Sequence, residues 1–142
     1  MKKAAATVVV LLALAGGGRA WAAEGPELAG LLVGQTLSAV AYVPWRPGLP
    51  GGGELARLML QAYLRPDGAA EVRVWDPARD SYTEPEERRW NLSGSRLCID
   101  LPTGQLCADV HIWGPRIAGI GQHPYAMLDG DLKPGNAISR SR

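Results

Sequence analysis

The chain has 142 residues, fifteen of them basic and fourteen acidic, for a formal charge of +1. So even a balance gives no electrostatic case for nucleic acid or an anionic membrane as partner. Eighteen Gly and eleven Pro, with five Trp, four Tyr and no Phe, describe a chain rich in turns whose large rings are amphipathic, a kind that suits barrel rims and binding surfaces.

Lys2 and Lys3 precede an apolar run from Ala4 to Ala15. The run has the length of a signal-peptide core and is too short to span a bilayer. Gly16-Gly17-Gly18 ends it, and Ala20-Trp21-Ala22 fits a small-x-small cleavage site. A signal peptide is therefore expected over residues 1–22, the alternative being a buried N-terminal helix. No cysteine stands at the cleavage site, which argues against a lipoprotein anchor. The charged leader and the abundance of Ala, Gly, Arg and Pro suggest a bacterium, with the periplasm or beyond as destination. Cleavage would remove Lys2, Lys3 and Arg19 but no acid, leaving a slight acidic excess. About 120 residues would remain, one domain's worth. That domain is expected over residues 23–129, followed by a flexible tail over 130–142. No later apolar run is long enough to cross a membrane.

In the exported part, Pro26 to Val33 suits one or two helical turns, with Pro at a first helical position. Gly34 breaks it, and Gln35 to Tyr42 alternates weakly as a strand. Val43 to Gly53, VPWRPGLPGGG, is too rich in breakers for a helix or a strand interior and reads as a loop carrying Trp45. Loops of this length are frequent binding sites and also frequent solvated connectors. Glu54 to Leu64 fits both helical and strand spacing. The residues after it favour the strand: Arg65-Pro66-Asp67-Gly68 is a turn signature, and Ala70, Val72 and Val74 alternate with Glu71, Arg73 and Trp75. A three-residue loop sets Leu64 opposite Ala70, Ala62 opposite Val72 and Leu60 opposite Val74. Asp76 to Glu87 is polar, holds two prolines and reads as a loop.

Arg88, Trp90 and Leu92 then begin a strand that turns at Ser93-Gly94-Ser95 into a hairpin holding the two cysteines. Residues of equal parity share a strand face. Leu97, Ile99 and Leu101 form one apolar row; Leu106, Ala108, Val110 and Ile112 form another. Both rows fall on one side if Cys98 pairs with Cys107 across a Pro102-Thr103 loop. That is a non-hydrogen-bonded position, where Cα atoms approach to about 4.5 Å and a disulfide can form. Pro102-Thr103-Gly104 also fits a three-residue loop, which would slip the register by one and expose a row. An oxidising compartment favours the bridge. Beyond Gly114-Pro115, Arg116 to Gly121 and Tyr125 to Leu128 look like two further short strands.

Six to eight short strands at roughly ten-residue spacing predict an all-β domain, an antiparallel meander barrel or sandwich. The run AYLRPDGAAEVRVW, then WNLSGSRLC, a second cysteine and LDGDLKPGN resembles small periplasmic β-barrel (lipocalin-like) proteins of proteobacteria with a W…C…C strand pattern. The matching positions are Tyr63, Asp67, Gly68, Trp90, Gly94, Cys98 and Cys107. The resemblance spans Gln35 to Asn136; it implies a lipocalin-like barrel and no particular reaction.

Two function classes are compatible with these residues, beside the plainer reading of an envelope-stabilising protein with a filled core, which a cavity in the barrel would separate from the first. In the first, a non-catalytic module binds a small molecule or an envelope protein through Trp45, Trp75 and Trp90. In the second, a metal or haem site, with or without enzymatic activity, uses Asp109 and His111, which share a strand face, together with His123. No HExxH, GxSxG or clustered His/Cys set accompanies them, and no cofactor is expected. Asp129-Gly130-Asp131 lacks the remaining ligands of a calcium loop. The cysteines are not spaced as a redox CxxC pair.

Overall fold

The computed structural model describes residues 26–44, 55–102, 104–121 and 127–138. The expected leader, Trp45, His123 and the last four residues lie outside them. Helix α1 spans Pro26–Leu32. Nine strands follow: β1 Gln35–Pro44, β2 Leu55–Leu64, β3 Ala69–Asp76, β4 Ser81–Tyr82, β5 Glu86–Ser93, β6 Arg96–Leu101, β7 Gly104–Trp113, β8 Arg116–Gly121 and β9 Met127–Pro134.

Each strand pairs antiparallel with its neighbours in sequence, β5 joining β3 beside the short β4, and β9 returns to β1. The β2–β3 pairing completes the ring. The result is an eight-stranded up-and-down barrel with β4 added to β3. Of the two architectures open to the sequence, the barrel is realised. Closure matters physically, because it leaves no long strand with unpaired amides and carbonyls.

Both expected hairpins form in the expected register. Leu64, Ala62 and Leu60 face Ala70, Val72 and Val74. The turn between them holds its glycine, Gly68, at φ 85°. Asp67 Oδ1 accepts from the Ala69 amide at 3.0 Å, and Asp67 Oδ2 from Arg65 at 2.8 Å. The amide first, then the guanidinium, hold the Asp67 carboxyl below the usual carboxylate range. In the second hairpin Leu97 faces Ala108, Ile99 faces Leu106 and Leu101 faces Gly104, which selects the two-residue loop. Cys98 and Cys107 are bonded, with Cα atoms 4.1 Å apart.

Several boundaries differ from the expectation. β1 extends through Val43 and Pro44, with Pro44 in the last rung against Leu55, an end position where a missing amide is tolerated. The stretch Asp76 to Glu87 is not all loop. Ser81 and Tyr82 pair with Asp76 and Trp75, and β5 begins at Glu86. The expected break between domain and tail falls inside β9, which runs to Pro134. Residues 135–138 then dock as well. Thr36 Oγ1 donates to Gly135 O at 2.6 Å and accepts from the Ala137 amide at 2.9 Å. Asn136 Nδ2 donates to Glu71 Oε2 at 2.8 Å, and Ile138 is fully buried. Polar composition suggested fraying; hydrogen bonds to the outer faces of β1 and β3 overrule it.

The interior is filled by the chain's own side chains. Leu37, Ala39 and Ala41 of β1, Leu60, Ala62 and Leu64 of β2, and the corresponding rows of the other barrel strands form one buried cluster. Leu28 and Leu32 of α1 join that cluster with no exposed surface, so the helix closes the barrel end where β1 begins. Gly34, at φ 77°, supplies the left-handed step that turns the helix into β1. Its amide donates to Leu64 O at 2.7 Å. β1, β3, β6 and β8 end at the opposite end of the barrel.

Candidate interaction surface

Parity decides which side chains leave the core. In β8, Ile117 is buried, so Ile120, of opposite parity, must point outward; it is 62 % exposed. In β9 Leu128 is buried, and Met127 beside it is 55 % exposed. In β1 Leu37, Ala39 and Ala41 face inward, and Tyr42 is 38 % exposed. The registers bring these three together. Tyr42 stands opposite Met127, and Met127 opposite Ile120. Three adjacent strands thus present a row of large apolar side chains on the outer wall, near the end opposite α1.

The row ends in charge on both sides. On β2, Arg57 stands opposite Tyr42; on β7, Asp109 stands opposite Ile120. Both are exposed. The next row toward α1 carries Met59, Val40, Asp129, Ala118 and His111 in register, with Val40, Met59 and Ala118 half-buried. Arg116 of β8 reaches Asp129 at 2.9 Å and Asp131 at 3.5 Å, so that part of the wall is already ion-paired. Exposed pairs of this kind contribute about 0–1 kcal/mol.

The three tryptophans expected to bind a ligand do not converge among the described residues. Trp90 points into the core, is 8 % exposed, and donates its indole N–H to Arg65 O at 2.9 Å. It is a packed and hydrogen-bonded core residue. Trp75 lies on the outer wall with its ring edge-on to Tyr82, centroids 5.2 Å apart. Arg73 stacks over Tyr82 at 4.7 Å and donates to Gln61 Oε1 at 2.8 Å; Gln61 in turn donates to Ser38 Oγ at 3.0 Å. These side chains bind one another across β1, β2, β3 and β4. Trp45 lies outside the described residues.

Asp109 and His111 share the outer face of β7, as parity requires, and both are exposed. The His111 ring lies 6.0 Å from that of Trp113, centroid to centroid. Among the described residues no three His, Cys, Asp or Glu side chains gather to hold a metal ion. His123 lies outside them. The disulfide also sits on the outer wall, with Cys98 buried and Cys107 half-buried, clear of the core cluster.

Sequence reading did not single out Tyr42, Ile120 or Met127. A signal existed: Ile117 and Ile120 fall on opposite faces of one short strand, so one of them had to be exposed. No helix among the described residues is long and apolar enough to cross a membrane. Compared with known proteins, the chain matches no protein family, no curated protein and no solved structure.

Proposed function

We propose that the chain is an exported protein of the bacterial periplasm or cell surface that acts without catalysis, by binding a protein through the outer wall of its barrel. One observation carries this reading. Among the described residues the barrel's inward side chains, Trp90 included, bury one another in one cluster that α1 joins at one end, whereas large apolar side chains stand outside on three adjacent strands. A barrel of eight strands either fills with side chains or holds a small ligand, and here the inward rows and Trp90 pack on one another. Binding by strand addition needs a free sheet edge, and among the described residues each of the eight barrel strands has a partner strand on both sides, with the two-residue β4 alone at an edge. Side-chain contact on the wall remains. The balanced charge, the lipocalin-like strand pattern and the leader-like N-terminus agree with an envelope protein, and the disulfide agrees with an oxidising compartment.

The test has two arms, both on protein recovered from the periplasm. Native mass spectrometry is expected to give the mass of the chain cut after Ala22, with its disulfide and no stoichiometric small molecule. A photo-crosslinking residue at Ile120 is expected to capture a protein, and the same residue at Lys133, also on the outer wall, is not. A co-purifying lipid or metabolite would shift the reading to small-ligand binding, and a bound metal to a site using Asp109, His111 and His123. Equal crosslinking at both positions would sink the outer-wall reading.

A further inference from the structure

We infer that the protein bound by this wall is a second copy of the chain, seated about a two-fold axis that passes through Met127. The inference rests on the outer-wall reading above and names its partner. Across the strands the outward row runs Arg57, Tyr42, Met127, Ile120, Asp109. It is apolar in its middle three places and carries opposite charges at its two ends, each two strands from Met127. A row of this kind complements its own reverse. Rotation by half a turn about an axis that runs along β9 at Met127 lays Tyr42 on Ile120 of the second copy, directs Arg57 toward Asp109 of the second copy, and brings Asp129, held by its own Arg116, near its counterpart; the first two contacts recur on the other side. Contacts that recur in this way are what an isologous two-fold interface requires, and two-fold dimers are the commonest closed oligomers.

Curvature limits the contact and explains the residue types. Two convex walls touch along the central strands and diverge on either side. Tyr42 and Ile120, one strand from the axis, remain in reach of each other. At two strands the gap has opened, and a long side chain such as arginine is needed to cross it. Asp109 has Arg96 as its in-register neighbour on β6, so its carboxylate would lie between a cation of its own chain and one of the second copy. Exposure of 62 % at Ile120 and 55 % at Met127 leaves substantial apolar area for the dimer to remove from water.

Geometry supplies the test. Met127 sits on the axis, so Met127→Cys is expected to cross-link to itself in oxidising buffer and give a covalent dimer. Glu87→Cys, exposed on β5 at the opposite side of the barrel, is expected to stay monomeric. Tyr42→Cys and Ile120→Cys are expected to cross-link when mixed but not when each is oxidised alone. By sedimentation, Arg57→Asp and Asp109→Arg are each expected to weaken self-association about tenfold, and the double exchange to recover most of it. Circular dichroism of each variant checks that the barrel is intact. A purified protein that sediments as a monomer at every concentration would overturn the inference. So would Met127→Cys cross-linking no faster than Glu87→Cys, a double exchange weaker than either single one, or binding to phosphatidylcholine vesicles in place of self-association. If the protein is monomeric yet Ile120 still captures a different envelope protein, only the second copy falls and the outer-wall reading stands. If Ile120 captures nothing, both fall.

Discussion

Gly130 shows how a single side chain, or its lack, sets the shape of the barrel. It faces inward on β9 between Leu128 and Leu132, opposite Ala39 of β1. A Cβ added there would meet the Ser38 carbonyl oxygen at overlapping distance, and Ala39 Cα and Cβ at 2.7 Å. Two of those three atoms are backbone, which cannot rotate away. Gly119 on β8 is milder: its Cβ would meet the Asp109 carbonyl oxygen at 3.0 Å and Val110 Cγ1 at 3.0 Å. Gly130→Ala must therefore separate β1 from β9, and the cost of such overpacking is about 1–3 kcal/mol, more where strands must part. Gly119→Ala should cost less, since a small shift of Val110 relieves part of it. Urea denaturation ranks the two variants, and a Gly130→Ala protein as stable as the parent would mean that β9 lies farther from β1. Neither glycine was marked by the sequence, where Asp129-Gly130-Asp131 suggested an incomplete calcium loop. The need for glycine there comes from a strand ninety residues earlier in the chain, and no local pattern carries that information.

At the scale of the element, what could be read depended on whether turn chemistry and face parity involved neighbouring residues. The hairpin at Pro66-Asp67-Gly68 and the cysteine hairpin are local, so alternation fixed their registers to the residue. For the cysteine pair, parity prevailed over a turn sequence that also fits a three-residue loop, because a slip would have put Leu97, Ile99 and Leu101 in water. The C-terminal segment is the opposite case. Gly130 to Ile138 is polar and contains Gly and Pro; its order comes from the pairing of β9 with β1 and β8 and, past Pro134, from Thr36 and Glu71, far away in the sequence. Thr36 is the test of that segment. It is fully buried, and its hydroxyl serves both Gly135 O and the Ala137 amide. Thr36→Val keeps the shape and removes both bonds. The expected loss is about 1–3 kcal/mol, with faster amide exchange at Ala137 and Ile138 and little change in the β2–β3 hairpin. Ile138→Ala should cost about 2–5 kcal/mol through the cavity it leaves. Unchanged exchange at Ala137 in Thr36→Val would show that the segment is held by something else.

For the molecule as a whole, the number of strands and their alternation made an all-β body legible, and sequential hairpins pointed to a meander. Closure was not legible, because it depends on β9 meeting β1 across the length of the chain. Nor could composition tell a filled barrel from a hollow one: the same inward rows serve both, and the difference is how far they meet across the interior. The candidate surface stayed hidden for a related reason. Tyr42, Met127 and Ile120 come from three separate strands, and only the registers of β1, β9 and β8 make them neighbours. Closure has a thermodynamic consequence. Every barrel strand is paired on both sides, and one buried cluster joins α1 to all eight, so no strand can leave without breaking two ladders and opening the shared core. Unfolding should therefore be a single transition. Tryptophan fluorescence, which includes Trp90 in the core, and far-ultraviolet circular dichroism, which follows the strands, should give the same urea midpoint and slope. A second measurement locates the helix: Leu28→Ala should lower both midpoints together, by the equivalent of about 2–5 kcal/mol. If the fluorescence change instead separates from the loss of strand signal, or if Leu28→Ala leaves both midpoints in place, then α1 is an appendage on a barrel that holds together without it, and the end that it covers is free to open.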